Sequence, residues 1–197
     1  MNILSSLKGG GLRSPKGIRL GGKRLVEILS GHAEFVRGNP IGVRANLAGA
    51  DLSRANLERT NLTYADLRNA DLEGANLREA KLGSADLSKA NLRRADLRKT
   101  DLTDANLANA DLSEAQAGGA EFFRANLQLA TLRRADFGAT NFRDAQLNGA
   151  DFEGASLKTA ILRETKLEGV DLSRAADIST ALLPLGYSAQ AAKTAKS

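Results

Sequence analysis

Cysteine and tryptophan are absent from this chain of 197 residues, histidine occurs once, as His32, and proline three times. Without cysteine there is no disulfide, no thiolate metal ligand and no cysteine nucleophile, and redox chemistry places no constraint on the compartment. A histidine-based metal centre or catalytic triad would rest on His32 alone. No run of 18 or more apolar residues occurs, which excludes a membrane-spanning helix and predicts a soluble protein. Aromatics are few, six Phe and two Tyr, yet 42% of the residues are apolar, nearly all Ala and Leu. A core made from these must be assembled from many small, similar units.

What the chain does have is a period. In "ANLAGADLSRANLERTNL", residues 45–62, the leucines Leu47, Leu52, Leu57 and Leu62 each follow Asn or Asp and, one place earlier, Ala or Thr. Helix faces recur every 3.6 residues and strand faces every two, so a period of five fits neither element. The phase runs without insertion from Leu47 through Leu172, giving 26 units, and the central residue is Leu or Phe in 25 of them, Ala117 being the exception. Two places before the centre stands Ala, Thr or, once, Val170, while the other positions are mostly polar, charged or Gly. Two residues in five therefore point inward.

Runs such as "ADLSRANLERTNL" and "ADLSKANLRRADL" resemble the pentapeptide-repeat proteins and their A(D/N)LXX consensus over about 130 residues. The resemblance implies an all-β solenoid, a right-handed quadrilateral β-helix in which each unit forms one side of a square and four units complete a coil. The 26 units then make about 6.5 coils. At the ~4.8 Å spacing of paired strands the rod would be roughly 31 Å long.

Folding the sequence on that coil places residues 20 apart one above another. One inward column reads Leu57, Leu77, Leu97, Ala117, Phe137, Leu157, setting the undersized Ala117 directly beneath a Phe; the next has Phe122 below Phe142, which should stack, and Phe152 lies on a third. Leu97 should be intolerant of charge, and Arg98 beside it reads as a dispensable surface residue. On one outward face the sign of charge alternates from coil to coil, with Arg54, Arg93, Arg94, Arg133, Arg134 and Arg174 as a candidate interaction face. That face reads either as a self-neutralising, solvated surface or as an arginine stripe that grasps phosphate.

The flanks divide the rest. Residues 1–22, with six Gly and no acidic residue, read as a flexible basic arm; residues 23–44 as a capping helix and linker; 45–175 as the β-helix; and 176–197 as a C-terminal cap and mobile tail. In "KRLVEILSGHAEFVRG" the residues Leu25, Ile28, Leu29, His32 and Phe35 share one helical face that can cover the open end of a solenoid, with His32 a packed cap residue rather than a ligand. At the other end the rule breaks at "AADIST", where Asp177 takes the central position, and Leu182, Leu183 and Leu185 are the expected cover.

Net charge is +5, but the first 44 residues hold eight Lys or Arg against two Glu, while the repeats hold 18 basic and 20 acidic residues. The basicity belongs to the N-terminal segment, which reads as a solvated linker, as a tether making weak polyanion contact through residues 1–24, or as a targeting segment. The Asp and Asn before each centre could suggest a carboxylate ladder for metal, but short acidic and amide side chains bond local backbone at turns, and every corner of a square needs one. No phosphate-binding loop and no distinguishable catalytic carboxylate pair is present, so the chain reads as non-enzymatic, without cofactor, metal site or small-molecule substrate. The leading expectation is a scaffold presenting flat faces to a protein partner, as a monomer or end-to-end dimer, with cytoplasmic placement the default. The alternatives are the DNA-mimic inhibition of DNA gyrase that the resemblance implies for the quinolone-resistance members, which are strongly acidic where this chain is mixed, and a tether to nucleic acid or membrane through the arm.

Overall fold

In the computed structural model the described residues are 11–187. The expectations placed on residues 1–10 and 188–197 lie outside them.

The unit Asp71-Leu72-Glu73-Gly74-Ala75 shows how five residues make one side. Asp71 N–H donates back to Ala50 O (2.9 Å) and Leu72 N–H forward to Asn91 O (2.7 Å), so the extended part of the unit is held from both neighbouring coils. Ala75 N–H closes a β-turn onto Leu72 O (3.0 Å), and Gly74, left-handed at φ +63°, turns its N–H to Arg93 O (2.8 Å). The remaining N–H, that of Glu73, has no carbonyl to meet and donates to Asp71 Oδ1 at 3.0 Å. All five backbone donors are used, which is what a buried backbone demands. The Asp or Asn before the centre is therefore a turn acceptor, and the same bond recurs at Asp51, Asn61, Asp86, Asn91, Asp111 and Asn141.

Repetition of this unit builds a β solenoid. Parallel single-residue bridges join residues 20 apart, from Asn46↔Asp66 to Gln146↔Lys166. Because turns take most of each unit, one residue per side stays extended, and among the described residues extended ladders of the ordinary kind are confined to a two-residue hairpin, β1 (Arg19–Leu20) with β2 (Lys23–Arg24). The second residue after the centre is left-handed from Gly49 through Gly169, and most of these positions are not Gly: Arg54, Arg59, Tyr64 and Thr159 are among those with φ between +54° and +67°. Such a backbone is unfavourable for a side-chain-bearing residue, and the N–H bond it makes to the next coil holds it there.

The interior is a column of Leu and Ala with almost no exposure. Leu47, Leu52, Leu57, Leu62 and Ala117 are all within 1% of full burial. Around Ala117 the volume is restored by phenylalanines: Phe122 stacks on Phe142 (centroids 5.1 Å), and Phe137 meets Phe122, Phe142 and Phe152 edge-on at 6.2, 5.3 and 6.1 Å. Thr100 and Thr140, at the small position, are fully buried and donate their hydroxyls to Leu77 O and Ala117 O, bonds that a reading of Thr as merely small does not anticipate.

Helix α1 (Leu25–Val36) precedes the repeats. Glu27 accepts the Arg24 N–H at its start, and Gly38 (φ +76°) ends it, with Gly38 and Asn39 N–H bonding back to Phe35 O and Glu34 O. Leu25 and His32 are completely buried against the first coil, Ile28 and Leu29 partly so, and Phe35 is half-buried, stacked on His32. His32 Nδ1 accepts the Ala45 N–H at 3.0 Å, and Val43 N–H donates to Gly31 O. Gly42 passes so close to the helix that a Cβ there would lie 2.1 Å from Phe35 N.

Two expectations about the flanks are corrected. Residues 12–20, assigned to a flexible arm, instead lie against the solenoid. Arg13 pairs in parallel with Ala55, its guanidinium reaches Asp51 at 2.9 Å, and Ile18 is buried. The first coil has no coil beneath it, and Arg13 supplies the carbonyl and N–H that Asn56 and Arg54 would otherwise lack. At the other end the repeat does not stop at residue 175. The bridges Ser156↔Asp177 and Ile161↔Leu182 continue it one residue out of phase, the extra residue being absorbed after a 3-10 turn at Leu172–Arg174. Ile178 and Leu183, not Asp177, are the central residues there; they pack on the core with Ala181 and Tyr187, while Leu182 and Leu185 are exposed.

Candidate interaction surfaces

Each side of the solenoid exposes the residue before the centre and the two after it, so four outward columns follow from the four units of a coil. The column carrying the candidate arginines is a lattice of ion pairs. Arg94 bonds Glu114 at 3.0 Å and approaches Glu73 at 3.6 Å; Arg93 reaches Asp111 at 3.4 Å and Glu114 at 3.8 Å. Arg133 bonds Asp151 at 2.6 Å and Glu153 at 3.5 Å, and Glu153 also takes Arg174. Arg134 lies over Glu114, and with Arg93, Arg133 and Glu153 it borders a shallow depression around Ser113. Arg54 stands at the bottom of the column, its N–H on Glu73 O. The bond from Arg94 holds the Glu114 carboxyl below its ordinary range and raises Arg94 itself. Arg93, Arg94, Arg133, Arg134 and Arg174 each face a carboxylate one coil away, so the column presents alternating, compensated charge rather than a stripe of one sign.

The other columns differ. Arg98 grips the buried Asp96 carboxylate with two bonds, and above this pair the same column is nearly bare, carrying Gly118, Gly119, Gly138 and Ala139. A third column holds amides: Asn126 donates to Asn106 Oδ1 (3.2 Å), Gln128 to Gln146 Oε1 (2.8 Å), and Asn148 to Glu168 (2.9 Å), with Leu129 63% exposed among them. In the fourth, Arg124 lies over the Phe123 ring at 4.9 Å and bonds Asp104 with both nitrogens. The outward side chains are thus already tied to their vertical neighbours.

At the N-terminal end, a groove of about 420 Å³ runs between β2, α1 and residues 43–46, with Leu20, Ile28 and Val43 as apolar walls and Lys23, Glu27 and Arg44 at its rim. His32 lies beneath the helix, and burial pushes its imidazole below the ordinary value of 6.5, an effect opposed by the Thr63 backbone and reinforced by Arg44. Among the described residues no group of three or more His, Asp or Glu is placed to hold a metal ion, and no helix is long and apolar enough to cross a membrane.

Comparison with known proteins places this geometry. No curated protein matches the chain. Among solved structures, a trypsin-treated form of QnrB1, a plasmid-mediated fluoroquinolone resistance protein, is 18% identical, with 77% of this chain and 82% of that one covered at a TM-score of 0.40. A pentapeptide repeat protein of the Arabidopsis thaliana thylakoid lumen is 32% identical over 58% of this chain and 69% of its own, TM-score 0.32. The protein Rfr23 from the cyanobacterium Cyanothece 51142 is 26% identical over 71% and 82%, TM-score 0.31. The family model for pentapeptide repeats matches in eight copies, over residues 43–78, 75–113, 100–138 and 140–175. With its turn-acceptor Asx, inward Leu and 20-residue ladder on the page, the chain belongs to the pentapeptide-repeat family.

Proposed function

We propose that the protein is a non-enzymatic scaffold, a right-handed four-sided rod of about 6.5 coils whose faces offer side chains on a fixed grid to a protein partner. The observation that carries this reading is the state of the outward side chains. The Arg–carboxylate lattice and the Asn/Gln ladder are ordered before any partner arrives. Binding to such a surface avoids much of the entropy that flexible side chains lose on association.

What weighs against a DNA mimic is charge. A duplex carries one negative charge per ~1.7 Å of axis, whereas these repeats hold 18 basic and 20 acidic residues interleaved coil by coil. QnrB1 is a fluoroquinolone resistance protein by name, but the likeness is too slight to carry that role here. Two measurements test the reading together. Affinity purification from the native host should recover the same partner with the full chain and with its Arg19→Glu/Lys23→Glu variant. Purified protein should leave DNA gyrase supercoiling unchanged at micromolar concentration. Potent inhibition of supercoiling would replace the scaffold with the mimic.

A further inference from the structure

We propose that the N-terminal end of the rod is a docking surface for an anionic lipid bilayer. This inference is independent of the scaffold reading, since it concerns the end of the solenoid rather than its faces.

The first observation is where unbalanced charge lies. Arg24 neighbours Glu27, Arg37 bonds Glu34 and Arg13 bonds Asp51, but Lys16, Arg19 and Lys23 make no ion pair among the described residues. Arg44 donates to the Tyr64 carbonyl and makes no ion pair among the described residues, although its charge reaches the Asp66 carboxylate that Arg68 already bonds. In the hairpin, moreover, Arg19 stands directly opposite Arg24. Like charges opposite each other in an antiparallel pair are destabilising, and an anionic partner relieves the repulsion. The repeats contrast in their balance, because 18 basic residues stand there among 20 acidic ones and the cations of the arginine column reach carboxylates one coil away.

The second observation separates lipid from nucleic acid. Of the eight large apolar side chains exposed among the described residues, five lie at this end: Leu12, Val26, Ile41 (79% exposed), Val43 (66%) and Tyr64, which neighbours Arg44. Val43 and Lys23 border the same groove. Aliphatic and tyrosine side chains interspersed with unpaired Lys and Arg match the headgroup boundary of a bilayer, where apolar groups enter the acyl region and cations meet phosphate. A phosphodiester backbone would use the cations and leave Ile41 and Val43 in water.

The test is binding of the full chain to phosphatidylcholine vesicles with and without 30% phosphatidylglycerol, and to a duplex DNA, for the natural sequence, Arg19→Glu/Lys23→Glu, and Ile41→Ser/Val43→Ser. All four residues are largely exposed or at the groove rim, and circular dichroism checks that the variants fold. The expected result is binding to the anionic vesicles alone, weakened at least tenfold by the double charge reversal, since each basic residue near the surface contributes about fivefold. The apolar pair, which changes no charge, should weaken vesicle binding as well. Absence of binding to anionic vesicles, equal binding to zwitterionic ones, or indifference to either variant overturns the proposal. DNA binding as tight as vesicle binding, with Ile41→Ser/Val43→Ser silent, makes the end a nucleic-acid surface instead.

Discussion

The residue before each centre decides whether a unit's backbone is fully bonded. Where it is Asp or Asn, its Oδ1 takes the N–H two places on; at Thr131 the residue is too short, and no bond to Arg133 N–H forms. Thr131→Asn should therefore raise stability by about 0.5–1.5 kcal/mol, the worth of one intramolecular hydrogen bond, readable as a higher midpoint in urea. An unchanged or lower midpoint would mean that this donor is satisfied by water. Two neighbouring positions separate inward from outward more strongly. Leu97→Lys buries an unpaired charge in an interior with no polar partner and should abolish folding or cost several kcal/mol. Arg98, which the pattern marks as dispensable, covers the Asp96 carboxylate, itself 3% exposed, so Arg98→Ala should cost about 1–3 kcal/mol while Lys99→Ala next to it stays within about 0.5. Thermal melts of the three variants check the order. The alternation of Ala, Leu and Asx was legible in sequence because it is the fold's own rule; the Arg98–Asp96 grip was not, because a surface salt bridge leaves no trace in periodicity.

Helix α1 is held to the first coil through one titratable group. His32 Nδ1 accepts from Ala45 N–H, so the proton of the neutral ring sits on the buried Nε2. Protonating Nδ1 would set two donors face to face at 3.0 Å beside the Arg44 cation. Since burial lowers the folded-state pKa below 6.5, the unfolded chain binds the proton first as pH falls. The stability His32 contributes is thus fully present above pH 6.5 and is lost as pH drops below it toward the folded value. Carboxylates held low by arginine, such as Asp66 by Arg68 and Glu79 by Arg59, act in the same direction but only at more acidic pH. The natural protein should melt at lower temperature at pH 5.5 than at pH 7.5, and His32→Asn should remove most of that difference; equal pH sensitivity in both would contradict the latch. The helix and its apolar face could be read from spacing, and so could His32 as a packed residue. The docking of residues 12–20 could not, because Arg13 is recruited by unpaired backbone on a coil some 40 residues away, a demand that arises only once the coils exist. The one-residue slip at the far end was hidden for a related reason: a phase count treats the insertion before Asp177 as an ending, whereas the ladder absorbs it and goes on to Leu182.

Taken whole, the molecule is an interior of one kind wrapped in four surfaces of different kinds. Inward positions are nearly invariant Leu, Phe and Ala, and they stabilise the rod whatever stands outside. Outward positions are free of that demand, yet they sort into an ion-pair lattice, a bare Gly-rich strip beside Asp96, an amide ladder and an aromatic–arginine column. A protein that only needed to be a soluble rod would have no use for such sorting. The measurement that bears most directly on a scaffold role is partner capture by four variants, each altered on one face: Arg94→Ala/Arg133→Ala, Gly118→Ser/Gly138→Ser, Gln128→Ala/Leu129→Ser, and Phe123→Ser/Arg124→Ser. All four should remain folded by circular dichroism. Capture of the partner identified with the full chain should be lost in one variant, or in two that share an edge, and kept in the others. Capture that survives all four substitutions unchanged, or that vanishes only with Arg19→Glu/Lys23→Glu, would contradict the claim that the faces of the solenoid do the binding.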